Sequence, residues 1–190
     1  MEYLVVGARG LLGLVFLVSV AGKVAGRSAF TAFVASVRSL GVVPPVLVRP
    51  VARTVVAGEA AVCVLTAVPV RGAATAGFLV ASALLAAFTA GIAAAVRRGA
   101  TAPCRCFGPS TTPLDTPHIV RNVLLFAVAV AGVLAVPVAA DGRPGGLVVA
   151  GIAGLFAGAV VTRLDHLLAL FRPLPASARA GATDPDHRSV

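Results

Sequence analysis

Five long apolar stretches, separated by short basic or proline-rich connections, constrain this chain more than any other feature. They run from Tyr3 to Gly22, Ala52 to Val70, Ala73 to Val96, Ile119 to Val138 and Leu147 to Leu170. A helix rising ~1.5 Å per residue needs roughly 20 mostly apolar residues to cross ~30 Å of hydrocarbon. Each stretch meets or nears that length. Hydrocarbon offers no partner to an open strand edge, and the alternation of a membrane β-barrel is absent, so the spans are read as helices. Hydrophobic residues make up 58% of the chain and charged residues 12%, against ~45–50% and ~25% in soluble domains. That balance excludes a soluble enzyme, a disordered chain and a secreted disulfide scaffold. The expected fold is all-α, a polytopic transmembrane helix bundle with four core helices plus a fifth span. It occupies residues 1–171, and residues 172–190 are expected to form a disordered cytoplasmic tail. The lipid bilayer is the first partner.

Sixteen Lys and Arg against seven Asp and Glu give a net charge of +9. The basic residues stand singly between apolar runs with almost no aromatic interleaving, so no nucleic-acid partner is expected. With five spans, Lys23, Arg27, Arg38, Arg49, Arg53, Arg97, Arg98, Arg105, Arg121, Arg163, Arg172, Arg179 and Arg188 share one side. Only Arg9, Arg71 and Arg143 fall on the other. The positive-inside rule then puts the amino terminus outside and the connection between the third and fourth spans in the cytoplasm. The first span starts at Met1-Glu2 with no basic segment and is too long for a signal-peptide core, so it is read as a retained span. Lys23, at its end, reads as an interfacial anchor that snorkels. Phe30, Phe33, Val37 and Leu40 form a helical stripe within Ser28 to Leu40, stopped by Pro44-Pro45. That pattern predicts a short amphipathic helix lying on the interface or capping the bundle. Gly154 and Gly158 form a GxxxG suited to close helix packing inside the bundle.

Two of the three cysteines form Cys104-Arg105-Cys106, in a Pro- and Thr-rich connection between the third and fourth spans. The thiolate is the reactive form of cysteine, and Arg98, Arg105 and Arg121 supply positive charge that favours it. A disulfide across two residues closes a small ring that is easily reduced. The pair therefore reads as a redox-active dithiol, with Cys104 and Cys106 catalytic and Arg105 stabilising a thiolate. A soft-metal site for copper(I) or zinc, or thiols without chemistry, are the alternatives. Glu59 lies inside the second span, where an ionisable residue costs ~2.5–3.5 kcal/mol by insertion scales and faces the bundle interior. It reads either as a catalytic proton acceptor or relay, or a ligand to a quinone-like cofactor, or as a carboxyl bonded to a neighbouring helix. Cys63, one turn beyond, reads as a packing residue. Arg121 and Asn122 open the fourth span on the membrane face of the cysteine connection, placed to bind a cofactor or anion or to hold that connection. No metal-hydrolase spacing, phosphate loop, dinucleotide fingerprint or nucleophile elbow is present. A small proton-coupled transporter using Glu59 is the remaining alternative, weakened by the scarcity of other ionisable residues in the spans.

The run Cys104-Arg105-Cys106-Phe107-Gly108 after a third span resembles the methylamine utilisation protein MauE family, related to the DoxX-like membrane proteins. Gly22-Lys23 at the end of the first span, Glu59, Arg98-Gly99 and Arg121-Asn122 follow the family pattern in order, and the resemblance runs from about residue 3 to 170. Arg105 stands where the family commonly has Gly, and Cys63 is outside the pattern. The resemblance implies an accessory role in maturing methylamine dehydrogenase by dithiol–disulfide exchange, with a thioredoxin-like protein or a client enzyme as partner. It also implies thiol chemistry outside the cytoplasm, whereas the charge count puts the connection inside.

Overall fold

A computed structural model describes residues 1–98, 116–139 and 142–170, with the side chains of 116–118 and 164–170 left aside. Six helices follow one another: α1 Glu2–Val24, α2 Arg27–Ser39, α3 Val48–Ala67, α4 Arg71–Arg97, α5 Thr116–Ala135 and α6 Pro144–Leu170. The described residues contain no strand. Four of the helices, α1, α3, α4 and α6, are long and apolar enough to cross a membrane, while the stretch Ile119–Ala135 of α5 is shorter.

Helix boundaries follow local chemistry. Leu40 caps α2 and Gly41 follows with a φ of 64°, a left-handed position that glycine adopts without a Cβ penalty. Pro44 and Pro45 keep the next turn out of the helix. α3 then begins at Val48, four residues before the expected Ala52, with Pro50 in its first turn. Proline is tolerated there because first-turn N–H groups have no intrahelical partner. Arg71 and Gly72, which lie between the second and third apolar stretches, start α4, and the chain reverses over Val68–Val70.

The four helices α1, α3, α4 and α5 form a closed ring. α1 packs on α3, α3 on α4, α4 on α5 and α5 back on α1. Neighbours around the ring are antiparallel: Gly58 of α3 meets Leu84 and Gly77 meets Leu65, while Phe78 of α4 lies against Gly132 of α5. Leu12, Val15, Phe16, Val62, Phe78, Ala81, Leu85 and Ala129 fill the centre. The outward faces stay apolar as well, with Leu17, Val64, Leu79, Leu124 and Leu134 exposed, which suits a lipid solvent.

α6 stands outside the ring, docked along α1 in the parallel direction. Gly7 and Gly10 of α1 face Gly151 and Gly154, and Gly158 rests on the Leu11 backbone. A Cβ on Gly154 would fall onto the backbone of Gly7, so the GxxxG serves packing within the bundle, as the sequence suggested. Tyr3 fixes the start of α6: its ring covers Gly142 and Gly146, and its hydroxyl accepts the Arg143 N–H at 3.0 Å. The Glu2 carboxylate accepts the Gly142 N–H. The architecture is thus the expected four core helices plus a fifth long helix.

α2 lies across one end of the ring. Phe33 and Val34 bury against Val48 and Ala52 of α3, with Phe30 and Val37 beside them. The amphipathic stripe is therefore turned onto the protein and caps the bundle.

Candidate functional site

Three buried polar side chains gather beneath α2. Ser19 and Lys23 stand one turn apart on α1 and face Glu59 of α3. The Lys23 ammonium donates to Glu59 Oε1 at 2.6 Å, to Oε2 at 2.9 Å and to Ser19 Oγ at 2.6 Å. Ser19 Oγ in turn donates to Glu59 Oε1 at 2.9 Å. Both carboxylate oxygens are thereby engaged, and the three side chains close a small cyclic network. Lys23 is 2% exposed and Glu59 fully buried. Aromatic faces complete the cage, with the ammonium 4.9 Å from the Phe33 ring centre and 6.0 Å from that of Phe88.

Lys23 is not the snorkelling anchor its place at the end of α1 suggested. Helical side chains lean toward the amino terminus. A lysine in the last turn therefore leans back over its own helix, into the bundle, and its ammonium bonds the serine one turn earlier. Snorkelling outward requires the opposite lean. Glu59 supplies the counter-charge that makes this inward course favourable, since an unpaired ion there would lose its water without recompense.

Arg121 and Asn122 are also inside, at 7% and 1% exposure. Arg71 donates to the Ala139 carbonyl at 3.0 Å and Phe78 lies on Gly132. Carried ten residues further along both helices, this α4–α5 register brings Asn122 level with Phe88. Asn122 Oδ1 has no hydrogen-bond partner among the described residues. Cys63, one turn beyond Glu59, is half-buried, and its sulfur reaches the Gly13 carbonyl at 3.9 Å. Cys104, Arg105 and Cys106 lie outside the described residues, as does the tail beyond 170. No cluster of potential metal ligands occurs among the described residues.

The helix on each side of the cysteine connection meets the α2 end of the bundle. Arg98, the cap of α4, donates to the Gly41 carbonyl at 2.7 Å, tying α4 to the α2–α3 connection. α5 starts at Thr116 and reaches Asn122 after six residues. Sequence reasoning singled out Glu59, Arg121 and Asn122 but missed Ser19 and misread Lys23. Serine four residues before a lysine, on a helix that faces a buried glutamate, is the signal that was available. It also passed over Arg9, which entered only the charge count. Its guanidinium donates through Nε to the Thr66 carbonyl at 2.8 Å and through Nη2 to that of Val68, closing the carbonyl end of α3.

These features define a multi-pass α-helical membrane protein whose four-helix ring encloses a lysine–glutamate pair, with one further long helix docked outside. The family model of the methylamine utilisation protein MauE matches residues 1–135. The chain belongs to that family. The match spans α1 to α5 and ends where α5 ends, so α6 stands beyond it. No curated protein and no solved structure matches the chain.

Proposed function

We propose that this protein is a membrane thiol-redox accessory factor, serving the maturation of an enzyme of methylamine metabolism through Cys104 and Cys106. One thiolate attacks a disulfide of a thioredoxin-like partner or client, forming a mixed disulfide and releasing one partner thiolate. The second cysteine then displaces the partner. A Cys104–Cys106 disulfide forms, the partner becomes a dithiol, and two electrons and two protons pass to it. Run in reverse, the same steps oxidise a client. Arg105 favours the attacking thiolate by its charge.

The observation that carries this reading is the common location of the parts. The last turn of α4 and the first turns of α5, which flank the cysteines, meet the bundle end where Lys23, Glu59, Ser19, Phe88 and Asn122 gather. In this arrangement the buried ion pair fixes the ring at the end where α4 stops and α5 starts, and Arg121 and Asn122 anchor the start of α5. The charge count puts this end in the cytoplasm.

The test is labelling with a membrane-impermeant maleimide in intact and permeabilised cells, with and without reductant, in a Cys63→Ala background. Labelling of Cys104 and Cys106 that requires both permeabilisation and reductant is the expected result. Labelling without reductant, together with copper or zinc that copurifies and is lost in Cys104→Ser, replaces redox exchange by soft-metal handling. Labelling from outside reverses the topology.

A further inference from the structure

A groove of about 640 Å³ opens sideways on the bundle where α3 and α6 both rest on α1, within the ~300–1,000 Å³ of ordinary ligand sites. Gly10 and Gly13 of α1 line its floor, and their missing side chains let Gly151 of α6 and Thr66 of α3 come close on either side. Leu14, Leu17 and Leu155 make its walls apolar, and Arg9 stands toward one end. The guanidinium spends Nε and Nη2 on the Thr66 and Val68 carbonyls. Neither of these bonds uses Nη1. Those carbonyls close α3 just where the chain turns into α4, so the cation sits where two spans reach the bilayer edge, at headgroup depth. From there the groove runs along α1 toward Leu17, into the hydrocarbon.

We propose that the groove is a binding site for an anionic phospholipid, one acyl chain lying on Gly10 and Gly13 and the phosphate on the Nη1 edge of Arg9. A guanidinium at headgroup depth is complementary to phosphate in charge and in hydrogen-bond geometry. An apolar slot open to the bilayer, continuous with that cation, matches a molecule that is anionic at one end and hydrocarbon at the other. Neither Lys23 nor Glu59 lines this groove, and the proposal does not depend on the thiol reading.

The experiment is native mass spectrometry of the full chain, released from nanodiscs holding equal phosphatidylglycerol and phosphatidylcholine. The wild-type protein retains phosphatidylglycerol several-fold over phosphatidylcholine, and Arg9→Gln brings the ratio close to one. Ala67→Phe, which projects a ring into the groove from an exposed position on α3, loses bound lipid of both kinds while circular dichroism shows an unchanged helix content. Equal retention of the two lipids by the wild-type chain overturns the proposal. So does an undiminished preference in a folded Arg9→Gln protein, or a retained species with the mass of a quinone in place of a phospholipid.

Discussion

At the residue scale, one lysine and one glutamate show how a charge becomes admissible inside an apolar bundle. Each alone would be expensive to bury, and together with Ser19 they satisfy one another within hydrogen-bond distance. Removing one partner leaves the other ionised and dry. Glu59→Gln or Lys23→Met is therefore expected to destabilise the bundle by about 3–5 kcal/mol. The double change Lys23→Met, Glu59→Gln is expected to cost much less than the two singles combined, because it removes both desolvated charges. Unfolding of the detergent-solubilised proteins followed by circular dichroism checks the cycle. Additive losses would show that the two side chains do not act as a pair. Phe78 and Gly132 offer a second residue-scale test of a steric kind. A Cβ at residue 132 would come within 2.8 Å of the Phe78 ring, so Gly132→Ala should destabilise by about 1–3 kcal/mol. Phe78→Leu in the same chain should recover part of that loss, read from the same unfolding curves.

At the scale of the elements, α6 depends on one narrow seam. Its contact with α1 is made through glycines whose missing side chains let the backbones approach, and among the described residues no ring helix other than α1 holds it closely. Gly154→Ile should therefore lift α6 from α1 while leaving the ring folded. A Val6→Cys, Gly151→Cys pair reports the change, since the Cβ position of Gly151 lies 3.6 Å from Val6 Cγ1. Efficient crosslinking in the otherwise cysteine-free chain, and its loss on adding Gly154→Ile, is the expected outcome. Persistent crosslinking would mean that α6 is held elsewhere. The family match fits this division, because the ring α1–α5 lies within it and α6 lies beyond it.

For the whole molecule, the antiparallel ring places the α3–α4 turn at one end and α2 at the other. Gly72 and Ser39 mark those two ends: residue 72 has open space around its Cβ position, and Ser39 is exposed at the close of α2. Cysteines introduced singly at these positions in a cysteine-free chain should label on opposite sides of the membrane. If the sequence's charge count holds, with thirteen of the sixteen basic residues expected on the α2 side, Ser39→Cys should require permeabilisation and Gly72→Cys should not. Labelling of the two positions in the reverse sense would invert the orientation without altering the fold.

The membrane class, the five apolar segments, the amphipathic α2 and the four-plus-one arrangement were legible in the chain itself. Hydrophobic length and periodicity are properties of consecutive residues, and hydrocarbon permits only one backbone solution for them. The packing role of Gly154 and Gly158 was legible for the same reason, because small residues one turn apart define a flat helix face. Glu59 announced itself as a lone acid in an apolar span. Its partner did not, since Lys23 lies 36 positions away and at a helix end, where residue type alone suggests an anchor in the headgroups. Only the crossing of α1 over α3 decides that the ammonium turns inward. The same holds for Arg9, whose carbonyl partners are 57 and 59 positions distant, and for the groove beside it, which exists only because α3 and α6 settle on either side of two glycines. Sequence fixes what each segment can be, through the solvent it prefers; which side chains meet across segments is set by packing, because those contacts join residues that the chain order keeps far apart.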